Sequence, residues 1–174
     1  MIGWFKRAKK PSGPVVREWA MMRTDFPDDT VWEGHHLVQI GGRNVTVAVK
    51  EILEGLGYTV SEPEEGGDHG WLLSLRSSRM GCSFQITDFG KNQITDLGEQ
   101  AALLVEEDRP WRARDRDSSG QAFRELLKQL HSALQNDGRF HDIIWYPYDD
   151  FLKEGKGAPE PVSEPESPPD PVTN

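Results

Sequence analysis

The sequence has a single cysteine, Cys82, and a nucleophilic thiol is the first chemistry to consider. His69 and Asp88 lie near it along the chain and are the residue types that activate a thiol and orient its base. A reactive thiolate also needs a neighbouring cation or a helix N-terminus, and no helix start falls at Cys82. Cys82 alternates in phase with Phe84 and Ile86, which favours a side chain that points into the core.

Metal coordination would have to use histidine, because one cysteine excludes a site built on two thiolates. Two of the five histidines stand next to an acidic residue, Asp68 or Asp142. The sequence contains no HExxH or HxH spacing, and adjacent histidines would point to opposite faces of a strand. We therefore predict no metal site. Ordinary surface or loop positions are expected for His35, His36, His69, His131 and His141.

Motifs for phosphate binding and serine hydrolysis are also missing. No GxxxxGKS/T loop, no GxGxxG before a helix and no GxSxG elbow occurs. The flexible Gly66-Gly67 segment is surrounded by the carboxylates of Glu62, Glu64, Glu65 and Asp68, which would repel an anionic ligand. The sequence therefore predicts no cofactor.

A binding surface is the remaining interpretation, and one candidate begins at Trp111. Three arginines follow it, interleaved with aspartates, and Trp and Arg are enriched at the energetic centres of protein interfaces. The alternative is a solvated loop whose mixed charges neutralise one another.

A second cluster of aromatic residues begins at Trp145, and we expect the side chain of Trp145 itself in the core. The two tyrosines beyond it could line a groove, although aromatic residues also favour strands for simple packing. Together the two segments give the predicted binding residues Trp111, Arg112, Arg114, Arg116, Tyr146 and Tyr148.

The N-terminus joins two aromatic side chains to four cations, a combination that can rest on an anionic membrane surface. So short a segment buries little area, and stable attachment usually needs a second signal. The segment also lacks the apolar centre of a signal peptide. We expect a frayed basic start and keep membrane contact as a weaker alternative, through Trp4, Phe5, Lys6, Arg7, Lys9 and Lys10.

The chain has 174 residues and a net charge of -9, which argues against a nucleic-acid partner because neutralising phosphates needs a basic face. No stretch approaches the roughly 20 apolar residues of a bilayer-spanning helix. The charge is uneven. Residues 1–17 have five basic and no acidic side chains, residues 18–148 have 13 basic and 22 acidic, and residues 149–174 have two basic and seven acidic.

Two segments have the apolar spacing of amphipathic helices. The first begins near Asn44 and is ended by Gly55 and Gly57. The second carries its apolar stripe from Ala122 to Leu134, and Ser118 with Gln121 forms a capping-box pair at its start.

Strand patterns fill much of the remainder. Trp71 to Arg76 and Cys82 to Asp88 alternate between apolar and polar residues and predict a hairpin. Ala101 to Glu106 favours a strand over a helix end, and Phe140 to Tyr146 predicts a further strand. The span from Met21 to Gly34 is rich in turn residues and predicts a loop, followed by a short strand from His36 to Ile40.

These elements predict an α+β fold, with a small antiparallel sheet packed by two amphipathic helices. The sheet is expected to be a meander of about four strands plus a C-terminal strand. We predict a basic, flexible N-terminal segment over residues 1–20 and a single α+β domain over 21–152. Residues 153–174 are rich in proline and acid, and we expect a disordered tail.

The function that this pattern favours is a small acidic non-catalytic protein-binding module of the bacterial immunity, antitoxin or secretion-chaperone kind. It would act in the cytoplasm by surface complementarity to a basic protein partner, and the sequence leaves its oligomeric state open. The alternatives are an enzyme without a linear motif, with a site near His69, Cys82 and Asp88, and a membrane-surface adaptor that uses its basic aromatic N-terminus.

Overall fold

The computed structural model describes residues 14–67, 70–78, 80–91, 99–108, 120–148 and 157–163. Within these ranges the helices are α1, Arg43–Gly55, and α2, Gln121–Asn136. The strands in chain order are β1, Val15–Val16; β2, Trp19–Thr24; β3, Val31–Glu33; β4, His36–Gln39; β5, Glu64–Glu65; β6, Trp71–Arg76; β7, Gly81–Lys91; β8, Glu99–Glu107; β9, Phe140–Tyr146; and β10, Val162–Ser163.

Six of these strands form one sheet in the order β5-β6-β7-β8-β2-β9, and every neighbouring pair in it is antiparallel. Two further antiparallel pairs, β1 with β10 and β3 with β4, lie outside this sheet. The predicted class, α+β with an antiparallel sheet and two helices, is confirmed. Ala101 to Glu106 is a strand, as the sequence favours, because β8 spans it.

One face of the sheet carries the core. Leu73 and Leu75 of β6 and Phe84 and Ile86 of β7 are buried, while Ser74 between them on β6 is exposed. Burying one such side chain contributes roughly 1.5 to 3 kcal/mol, so this face dominates the stability of the sheet. Both helices pack on it through Val45, Val49 and Leu53 of α1 and Phe123, Leu126, Leu127, Leu130 and Leu134 of α2.

Local sequence explains where α1 ends but not how α2 begins. α1 ends at Gly55, and the chain then turns at Gly57, whose φ of +88° lies in the left-handed region that glycine favours. α2 begins at Gln121 with Gly120 at the N-cap and no side-chain cap. The predicted capping partner Ser118 lies outside the described residues.

The clearest difference from the sequence prediction is β2. A loop is predicted over residues 21–34, but the first of these residues complete β2, and Val31–Glu33 form β3. β2 runs between β8 and β9, and Ala20 faces Leu103 on one side and Trp145 on the other. The middle of β2 lacks the β-branched and aromatic residues that mark a strand, so the turn residues after it dominate the local pattern.

A second difference concerns the C-terminal side. Residues 157–163, which we call the strap, fall within the span 153–174 that the sequence predicts to be a disordered tail. Ala158 and Trp145 exchange two backbone hydrogen bonds, with N···O distances of 2.7 and 2.8 Å. Val162 is buried in the core. β9 is an edge strand, so its outer backbone N–H and C=O groups need hydrogen-bond partners. Ala158 of the strap provides partners for Trp145, although the composition of the strap is unfavourable for a strand.

The N-terminal side differs in a related way. β1 and the start of β2 fall within residues 1–20, which the sequence predicts to be flexible. In β1, Val15 is opposite Ser163 and Val16 is opposite Val162, so the strap is the pairing partner that gives this short segment its conformation.

Gly70 provides a test of the close packing between β6 and β7. Its φ is +92°, and a Cβ atom there would overlap the carbonyl oxygen of Ile86. We expect Gly70→Ala to lower the free energy of unfolding by about 2 kcal/mol or more, because strain and overlap act together. Urea denaturation measures the change.

The matched control is Gly55→Ala, since a Cβ at the helical Gly55 meets nothing within 4 Å. There we expect no loss, or a gain of up to about 1 kcal/mol from the better helix propensity of alanine. Equal effects of the two substitutions would contradict the described close approach.

Candidate functional site

β3 and β4, with the turn between them, form a hairpin of residues 31–39 outside the main sheet. Gly34 has a φ of +65° in the turn, and Trp32 and Leu37 are cross-strand partners. Every residue from 31 to 38 is exposed. Within the described ranges the hairpin is the densest group of exposed large apolar side chains, with exposed fractions of 43% for Val31, 60% for Trp32, 47% for Leu37 and 50% for Val38.

The base of the hairpin is fixed by two side-chain hydrogen bonds. The Gln39 side chain donates from Nε2 to the carbonyl oxygen of Asp29 at 2.8 Å. Trp71 of β6 donates from Nε1 to the carbonyl oxygen of Ile40 at 3.2 Å. The hairpin therefore holds its exposed side chains on an anchored base.

Asp29 also joins the hairpin base to helix α1. Its Oδ1 accepts a hydrogen bond from the backbone N–H of Gly42 at 2.6 Å, and its Oδ2 accepts one from Asn44 at 2.7 Å. These N–H groups belong to the start of α1, whose N-cap, Gly42, has no side chain. A carboxylate from a distant loop thus performs the capping that a local Ser, Thr or Asp usually performs.

Three carboxylates gather at this helix start. Ligand oxygens of Asp28, Asp29 and Asp88 lie within 4.8 Å of one another. Hydrogen bonds from the side chain and the backbone of Thr30 lower the pKa of Asp28 below its ordinary value. A Cβ atom at Gly42 would lie 2.9 Å from that of Asp88, so glycine is needed for this approach.

Carboxylate groups of this kind suit hard cations such as Ca²⁺ or Mg²⁺. Here, however, both oxygens of Asp29 accept backbone hydrogen bonds, and Oδ1 of Asp28 accepts two from Thr30. These contacts give Asp29 the role of capping α1, and the three negative charges together complement the positive end of the helix dipole.

The cap can be tested by replacing Asp29. Asp29→Ala removes the acceptor of two backbone N–H groups, and we expect it to lower the free energy of unfolding by about 1 to 2 kcal/mol in urea denaturation. Glu33→Ala is the control, because it removes an exposed carboxylate from the hairpin and should change stability by less than about 0.5 kcal/mol. An effect of Asp29→Ala as small as that of the control would show that the cap is not significant.

The residues considered for thiol catalysis do not converge. Cys82 is fully buried in the core, as its alternation predicts. Burial raises the pKa of the Cys82 thiol to about 12, with smaller contributions from the charges of Glu107 and Asp108. Asp88 lies near the other end of β7, about 20 Å away at the rise of an extended strand, and belongs to the carboxylate cluster. His69 lies outside the described residues.

The burial of the Cys82 thiol leads to a prediction about its reactivity. We expect iodoacetamide at mildly alkaline pH to alkylate Cys82 in the native protein at least about 100-fold more slowly than in the urea-unfolded protein, because the native thiol is buried and protonated. Mass spectrometry at timed intervals measures both rates. A native rate close to that of free glutathione would instead indicate an accessible thiol, and a faster rate an activated one.

The predicted binding residues are only partly described. The segment with Trp111, Arg112, Arg114 and Arg116 lies outside the described residues. Tyr146 is partly buried in β9, and Tyr148 beyond it is 39% exposed. The N-terminal residues considered for membrane contact, Trp4, Phe5, Lys6, Arg7, Lys9 and Lys10, also lie outside the described residues.

Two of the histidines are held by side-chain contacts. His141 Nε2 lies 2.8 Å from Oδ2 of Asp25. His131, for which the sequence predicts a surface or loop position, is instead buried on α2 and accepts a hydrogen bond from Trp145. The only cluster of possible metal-binding side chains within the described ranges contains aspartates alone.

The sequence predicts the second strand of this hairpin, from His36 to Ile40, but not β3 or the pairing that places the four apolar side chains together. A signal for it exists, because the apolar pairs Val31-Trp32 and Leu37-Val38 flank a turn that contains Gly34. The aspartates and Pro27 before the first pair gave the whole span the composition of a loop.

Comparison with known proteins adds no relative. No family model, no curated protein and no solved structure matches the chain. Among the described residues, neither helix is long and apolar enough to cross a membrane.

Proposed function

We propose that the chain is a small acidic, non-catalytic protein-binding module of the immunity, antitoxin or secretion-chaperone kind, acting in the cytoplasm, and that its hairpin contacts the partner. The observation that carries this proposal is the exposure of Val31, Trp32, Leu37 and Val38 together on one anchored hairpin.

The energetic argument starts from Trp32. A tryptophan buries roughly 150 to 250 Å² when it is fully covered, which corresponds to several kcal/mol at about 25 cal/mol per Å². Leu37 lies opposite it and would be covered by the same partner surface. Because hydrogen bonds fix the hairpin base, ordering these side chains on binding costs less than ordering a mobile loop.

Charge supports a basic partner. The net charge of the chain is -9, and the carboxylates of Asp28, Asp29 and Asp88 lie at the hairpin base. Such a field raises the association rate of an oppositely charged partner and disfavours acidic ones. The complementary surface is an apolar pocket for Trp32 with basic side chains beside it.

A second surface remains a candidate for the same function. Tyr148 and Ile144 are both partly exposed on the β9 side of the molecule, and Tyr148 belongs to the binding set that the sequence predicts. Trp111 and its arginines complete that set, and their contribution is a prediction from sequence.

The other two functional hypotheses have less support. An enzyme that uses Cys82 would need an accessible thiolate, whereas the thiol is buried and its pKa is raised to about 12. A membrane-surface adaptor would act through Trp4 to Lys10, and only the composition of that segment supports it.

The proposal predicts that partner capture depends on Trp32 and Leu37. The full chain, immobilised, is expected to retain one stoichiometric protein from the source lysate, and Trp32→Ala/Leu37→Ala should weaken that complex at least about 30-fold by titration. The double variant should fold normally, because exposed substitutions change stability little. Higher salt should slow association if the partner is basic.

Tyr148→Ala is the matched control, since it removes an exposed aromatic side chain from the other surface. Loss of the partner with Tyr148→Ala but not with the hairpin variant would assign binding to the second surface. Turnover of a small molecule with no stoichiometric protein recovered would contradict a binding module altogether.

A further inference from the structure

His131 is a histidine of helix α2 that is only 8% exposed. Its Nδ1 accepts a hydrogen bond from Nε1 of Trp145 at 3.1 Å, and the two rings meet edge to face with centroids 6.1 Å apart. The indole nitrogen can only donate, so Nδ1 of His131 must be unprotonated while this bond exists.

Trp145 is also the residue that holds the strap against β9. Its backbone N–H and carbonyl both bond to Ala158, with N···O distances of 2.7 and 2.8 Å. Beside this pair, a Cβ atom at Gly157 would overlap Ile144 and would lie 2.7 Å from the Tyr146 ring. The first part of the strap therefore depends on the position of Trp145.

The far end of the strap has a separate anchor. Val162 is buried in the core, and the backbone N–H of Arg17 donates to Pro161 at 2.7 Å. Nη1 of Arg17 donates to the Ser163 hydroxyl at 2.7 Å. The strap can thus leave β9 while its second half stays attached.

Protonation of His131 acts on the side chain of Trp145, whose backbone makes the first attachment of the strap. A proton on Nδ1 would place two N–H donors against each other across 3.1 Å in a buried space. Among the described residues, Glu160 of the strap is the charged group whose field acts on His131, and its carboxylate favours the protonated ring. Protonation would therefore break the bond to Trp145, the residue whose backbone pairs with Ala158 of the strap.

We propose that His131, Trp145 and the strap form an acid-sensitive latch, in which protonation of His131 Nδ1 releases the first part of the strap from β9. The latch uses only these side chains and the backbone pair between Trp145 and Ala158, and it is independent of what the hairpin binds.

The direction of the pH dependence follows from the burial of the ring. Burial lowers the pKa of His131 from its ordinary value of 6.5, and Glu160 opposes this effect. The closed latch therefore binds the proton more weakly than an open state with a solvated ring does. Closure is fully favoured above the ordinary value and is lost progressively as the pH falls below it.

Amide hydrogen exchange by NMR tests the latch. Protection factors of the Trp145 and Ala158 amides should fall at least about fivefold between about pH 7.5 and pH 5.5 in the native protein. The amide of Val105, which donates to Glu18 in the sheet, should keep its protection. An unchanged protection at Trp145 and Ala158, or an equal loss at Val105, would overturn the proposal.

Two variants separate the latch from general acid sensitivity. His131→Asn keeps an acceptor for Trp145 but does not titrate, so its strap amides should show no such fall. A fall equal to that of the native protein would overturn the role of His131. Glu160→Gln removes the opposing charge, so the onset should move to lower pH, and an onset at higher pH would contradict the assigned contact.

Discussion

The pairing of β2 with β8 and β9 is the constraint on which the rest of the molecule depends. Without β2 the chain would consist of the antiparallel strands β5 to β8 and, separately, α2 with β9. β2 joins them through two ladders at once, and Ala20 is fully buried between Leu103 and Trp145. A small side chain at this position allows both helices to share one core face, because a larger one would overfill it.

Both features with a proposed role begin at the ends of this strand. After Thr24 the chain enters the loop that carries Asp28 and Asp29 and then the hairpin, while before Trp19 it forms β1 and meets the strap. The six residues of β2 span about 20 Å. Because the ladders hold β2 on both sides, a change at the strap has no direct path to the hairpin, which is anchored by Asp29 and Trp71.

Local pattern predicted the elements whose own apolar spacing marks them within a few residues. α1 with its glycine end, the β6–β7 hairpin and β9 each carry their own periodicity, so burial of Cys82 and Trp145 could be anticipated. The partners of β2 and of the strap could not be predicted from local sequence. Each of these segments pairs with a strand that is remote in the chain. Asp88 illustrates the limit: its nearness to Cys82 in sequence suggested catalysis, whereas the extended β7 carries it away to the start of α1.

The exposed apolar hairpin stands apart from the core that stabilises the fold. Its four large side chains contribute nothing to the core, so their exposure would be a cost to be removed if folding were the only requirement. Hydrogen bonds made by Asp29, Gln39 and the Trp71 indole nevertheless fix the hairpin base. An exposed tryptophan on a fixed base is the arrangement that a binding surface requires, because little ordering is needed when a second surface covers it, and this supports the proposed contact with a partner.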